Sequence, residues 1–158
     1  MTNTALATFL CIGLCVFAVV VPLIGLWRTL QKAGNEPASI RKILGWTAGV
    51  ISGWIVGTGV LAARGVYADV STWPPKFMIN LVVPLALVFP VTFSKGFKRL
   101  LPHVPPQWLV YTQAFRIPVE IFLWLLFLDH VVPVQMTYEG LNMDVFSGIL
   151  AIPAGWWI

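Results

Sequence analysis

The chain has 158 residues, of which 58% are hydrophobic and only 10% charged, and its formal net charge is +4. An ordinary soluble domain carries roughly 25% charged residues, so this chain has too few polar groups to cover a soluble surface. The composition excludes a soluble enzyme, a disordered chain and a disulfide scaffold. It predicts an all-α polytopic membrane helix bundle, a single domain over 1–158.

Crossing the hydrocarbon core takes roughly 20 apolar residues at about 1.5 Å each. Four stretches meet that length, at about 5–27, 43–63, 77–93 and 109–128. A fifth run, 145–158, spans about 21 Å as a helix and falls short of a comfortable crossing. Backbone groups in lipid must be bonded internally, so these segments are expected to be helices. The period-two alternation of transmembrane strands is absent from them.

The first segment is read as a retained helix. It lacks a basic n-region, and its apolar run is about twice the length of a signal-peptide h-region. Cys11 and Cys15 share one face at i, i+4 and are read as small packing residues. The segment between helices one and two holds Arg28, Lys32, Arg41 and Lys42, and that between three and four holds Lys95, Lys98 and Arg99. The opposite side holds Arg64 and Lys76 with the acidic Asp69, Asp129, Glu139 and Asp144. By the positive-inside rule the N-terminus is outside and the basic segments are cytoplasmic. Trp27, Trp46, Trp73 and Trp108 fall at the expected interfaces. The basic residues are a topological signal. No aromatic side chains interleave with them as single-strand binding needs, so no nucleic-acid partner is expected.

Helix two carries Gly45, Gly49, Gly53 and Gly57 at a constant spacing of four. They form a groove about 18 Å long into which another helix can settle. Three occupants fit it: helix one or three of the same chain, a second copy or partner subunit, or the tail of a lipid, carotenoid or quinone. In helix four, Gln113, Arg116 and Glu120 lie on one face, where Arg116 and Glu120 can pair across one turn. Charges within a span usually face a bundle interior or a wet cavity. Pro118 frees the Ala114 carbonyl at the same depth. This is either a polar ligand site or proton path, or a structural ion pair that sets helix register. Pro22, Pro84, Pro90 and Pro153 punctuate the other segments, and helix two has none.

The segment after helix four collects Asp129, His130, Glu139, Asn142 and Asp144. Their spacing matches no metal motif, and a polar cap or docking surface is expected instead. His103 and His130 fall on opposite sides, so they cannot ligate one haem together. No P-loop, GxGxxG or GxSxG is present, and no nucleophile adjoins a base, so an enzyme is not expected. No internal repeat suggests an inverted-repeat transporter within this chain. The residues name no cofactor.

Three blocks in the second half carry a resemblance. They are Trp73-Pro74-Pro75, the run Gln113-Ala-Phe115-Arg116-Ile-Pro-Val119-Glu120, and the run Pro133-Val-Gln-Met136-Thr137-Tyr-Glu-Gly140-Leu-Asn142-Met-Asp144. Over roughly 73–153 the chain resembles a family of uncharacterised bacterial multi-pass membrane proteins with about seven spans. The resemblance implies that Arg116, Glu120, Asn142 and Asp144 belong to a shared pattern. It implies a place in the bacterial cytoplasmic membrane, and two further helices beyond Trp156-Trp157-Ile158, so a truncated member is expected. Together these readings predict a non-catalytic accessory or structural subunit, partnered by the bilayer and by other membrane subunits or copies of itself. The alternative is a small-molecule or ion transporter built on the Arg116–Glu120 pair.

Overall fold

The structure is a computed structural model that describes residues 3–68 and 73–158, so Asp69 lies outside the described residues. Among them there is no strand, and four helical stretches are long and apolar enough to cross a membrane: Ala5–Lys32, Pro37–Ala63, Lys76–Phe93 and Pro106–Leu128. The helices are α1 (Asn3–Lys32), α2 (Pro37–Ala63), α3 (Ile79–Phe93), α4 (Lys95–Leu100), α5 (Pro106–Tyr111), α6 (Arg116–Leu128) and α7 (Asp144–Trp157). Short 3-10 turns occupy Lys76–Met78, Leu101–His103, Thr112–Phe115, Val134–Met136 and Tyr138–Gly140.

The first two helices start earlier or end later than their apolar cores predict. α1 runs on through Arg28 to Lys32, and α2 begins at Pro37. Proline at N1 lacks only an N–H that would have no helical partner anyway. The turn between them is a Schellman closure. Gly34 at φ +73° donates its N–H to Gln31, and Asn35 donates its N–H to Leu30. Both bonds satisfy carbonyls that the end of α1 would otherwise leave unpaired.

The fourth apolar stretch is not one uniform helix. It is α5, a 3-10 turn at Thr112–Phe115, then α6. Pro118 accounts for the break: it cannot donate to the Ala114 carbonyl, and its ring presses on that carbonyl. The preceding turn tightens to 3-10 geometry, a common response to a missing bond. Sequence patterning also left α4 unpredicted. Ser94 caps it, its hydroxyl accepting the Phe97 N–H at 3.2 Å.

The chain divides into two compact units. One comprises Met1–Gly25 and Val104–Ile158, the other Leu26–His103. In the first, α1 runs antiparallel to the α5–α6 stretch. Phe17 stacks on Phe115 with centroids 5.5 Å apart, and Gly25 abuts the Trp108 ring. α7 packs along α5, the 3-10 turn and α6. A Cβ on Gly148 would lie 3.0 Å from Ile117 and 3.3 Å from both Arg116 and the Gln113 carbonyl. One on Gly155 would lie 2.7 Å from the Tyr111 ring. Gly148, Ala151 and Gly155 are all buried. α7 therefore descends from the level of Arg116 to that of Tyr111. In the second unit, Leu30 and Ile40 are buried beside the α1–α2 turn, and Tyr67 bonds Asn80 at 3.0 Å.

Candidate functional site

The polar residues of the first unit converge where the segment after α6 folds back along it. α6 ends at Leu128, with His130 in the left-handed region at φ 57°. From Glu120 to Leu128 is eight residues, about 12 Å of helix. The returning chain covers that distance before α7 starts. Tyr138 donates its backbone N–H to Glu120 Oε1 at 2.5 Å, and Asn142 donates from its amide to Glu120 Oε2 at 3.5 Å. The segment satisfies its own backbone groups. The Thr137 carbonyl accepts N–H bonds from Gly140 and Asn142, and the Asn142 amide also reaches the Met136 carbonyl.

Two residues make the tight fold possible. Thr137 is fully buried, its hydroxyl donating to the Val134 carbonyl. Gly140 sits so close to the Val134 and Gln135 backbone that a Cβ would fall 2.1 Å from the Val134 oxygen. Trp124 on α6 holds the outer part of the segment. Its indole N–H donates to Glu139 Oε1 at 2.9 Å, and its ring lies 6.5 Å from that of Tyr138.

Glu120 is 3% exposed and takes only neutral donors. The pairing of Arg116 with Glu120 expected from their spacing is not formed. Arg116 pairs with Asp144 at the start of α7 and donates from Nε to Gln113 Oε1 at 3.2 Å. Two causes are visible. Both Glu120 oxygens are occupied by the folded-back segment. And Gly148 seats on Arg116, which brings Asp144, one turn earlier, beside the guanidinium. The Arg116 and Asp144 side chains remain 40% and 58% exposed.

Of the residues singled out from sequence, Gln113, Arg116 and Asp144 thus form one linked group, and Glu120 with Asn142 a second beside it. Glu139 joins neither, binding Trp124 and the Tyr138 hydroxyl. Asp129 and His130 stay at the far end of α6. Among the described residues no three His, Cys, Asp or Glu side chains are close enough to hold a metal ion. Gly45, Gly49, Gly53 and Gly57 are exposed, and a Cβ on any of them would meet nothing within 4 Å. Sequence reading missed Trp124, Thr137, Tyr138 and Gly140 as parts of the cluster, and it missed the Gly148–Ala151–Gly155 face. The last had a readable signal, small residues at i, i+3 and i+7.

No protein-family model, curated protein or solved structure matches this chain.

Proposed function

We propose that the chain is a multi-pass protein of the bacterial cytoplasmic membrane, N-terminus outside, acting as a non-catalytic accessory or structural subunit of a larger membrane assembly. The observation that carries this reading is the open glycine face of α2. Helix association in lipid depends on close van der Waals packing, which small residues at spacing four permit. Within its own compact unit no described residue occupies that face. A partner helix, from another subunit or a second copy, fits it.

The geometry makes the test clean. Leucine at position 49 or 53 meets open space within its own compact unit, so Gly49→Leu and Gly53→Leu should fold. Native mass spectrometry of gently extracted protein should show additional protein mass for the wild type and its loss in both variants. Assemblies that survive both substitutions overturn the reading.

The half-exposed Arg116–Asp144 pair favours a second reading, ion or small-molecule handling. Lipid tails cover such a pair poorly, whereas a wet cavity suits it. Under that reading Arg116→Gln and Glu120→Gln abolish transport or binding while the protein still assembles. A change in folding yield alone makes the cluster structural.

A further inference from the structure

The turn between α1 and α2 bears a groove of about 380 Å³ lined by Trp27, Gln31, Asn35, Ile40, Arg41 and Leu44. That volume lies within the roughly 300–1,000 Å³ typical of small-molecule sites. Its walls are of two kinds. Trp27, Ile40 and Leu44 are apolar. Gln31 and Arg41 supply side-chain hydrogen-bond donors, and among the described residues neither side chain has a hydrogen bond or ion pair. Asn35 is less available, because its amide already donates to the Leu30 carbonyl at 3.1 Å. Arg41 is the one cation in the groove lining, and the 28–42 stretch that carries the groove also holds Arg28, Lys32 and Lys42 against a single carboxylate, Glu36, at the N-cap of α2.

Both flanking helices have membrane-spanning length, so a turn between them lies at a membrane face whichever way the chain inserts. We propose that this groove binds the phosphate headgroup of an anionic phospholipid. Arg41 and Gln31 contact the phosphate oxygens, and Trp27, Ile40 and Leu44 flank the upper acyl chain. Basic pockets between membrane helices recognise such headgroups, and tryptophan favours the interfacial level. A free phosphate would engage the same two donors but would leave the apolar wall uncovered, which is why the lipid is the better occupant. The inference rests on the membrane reading above and is independent of the assembly reading.

The test uses the full chain, delipidated in a non-ionic detergent. Native mass spectrometry follows its titration with phosphatidylglycerol or with phosphatidylcholine of the same acyl chains. The wild type should retain phosphatidylglycerol about fivefold better, the scale of one juxtamembrane cation. Arg41→Gln should bring the two lipids near parity, and Arg41→Lys should keep part of the preference. Lys98→Gln, in the other basic segment, should leave it intact. A preference that survives Arg41→Gln, or that Lys98→Gln removes equally, overturns the groove as its source. Displacement of the lipid by inorganic phosphate alone overturns the lipid assignment. Failure to retain either lipid overturns this inference alone, whereas recovery of the expressed chain in the soluble fraction rather than the membrane pellet overturns the membrane reading. Loss of assembly in the α2 glycine variants would leave the lipid preference unchanged.

Discussion

Glu120, in the second turn of α6, accepts the backbone N–H of Tyr138, 18 residues further along the chain. This single bond fixes how deep the segment between α6 and α7 reaches. α7 then runs for fourteen residues, back past Arg116 to Tyr111. The chain has already returned about 12 Å along α6 before that helix begins.

Removing the carboxylate should therefore loosen the segment. Glu120→Ala leaves the Tyr138 N–H without its acceptor, which costs about 1–3 kcal/mol for a buried donor. Glu120→Gln keeps one oxygen for Tyr138 but turns an amide toward the Asn142 amide, so its cost should be smaller. Thermal unfolding in detergent should rank the wild type above Gln and Gln above Ala. Ala and wild type unfolding together would show that the segment is anchored elsewhere.

The glycines should separate into two classes. Gly140→Ala drives a methyl group into the Val134–Gln135 backbone, which cannot move aside cheaply, and should lose at least the roughly 1–3 kcal/mol of ordinary overpacking. Gly148→Ala, against Ile117 and Arg116, should lose less. Gly49→Ala meets open space and replaces a poor helix former, so the isolated chain should be unchanged or gain up to about 1 kcal/mol. Denaturant titration of the three variants checks the order, and a destabilised Gly49→Ala would contradict the open face.

Arg116 and Asp144 should behave as a coupled pair. Arg116→Gln leaves the Asp144 carboxylate without its cation, and Asp144→Asn does the converse. The double variant leaves no lone charge. Its unfolding free energy should exceed the value expected from adding the single losses, by about 0.5–3 kcal/mol for residues in contact. Strict additivity would mean that the pair is uncoupled in solution.

Leu141 holds φ +69° while 77% exposed. A left-handed conformation costs an L-residue roughly 1–2 kcal/mol, and glycine escapes that cost. Leu141→Gly should therefore match or exceed the wild type in thermal stability, although its side chain is lost. Leu141→Val, β-branched, should fall below it. The opposite order would show that the exposed leucine makes a stabilising contact.

Length and hydropathy made the four membrane-length helices readable, because helix formation in so apolar a chain follows local composition. Helix ends were less legible. α1 and α2 extend past their apolar cores because capping at Gly34 and Pro37 sets their limits. The break at Thr112–Phe115 was half legible: Pro118 announced a freed carbonyl but not the tightened turn before it. Within the site, Gln113 and Arg116 were found by helical spacing. The partner of Arg116 was not, since Asp144 is 28 residues away.

By itself, then, the sequence determined the helical class of the chain, the positions of its apolar stretches and the residues that carry charge near them. These depend on local spacing and side-chain chemistry. Tertiary structure alone decided which polar groups meet. Glu120 takes the Tyr138 N–H because Thr137 and Gly140 let the segment fold tightly. Arg116 takes Asp144 because Gly148 allows α7 to approach. The glycines of α2 stay uncovered within their own compact unit. Such choices depend on how closely distant backbones can pack, a property that no local pattern encodes.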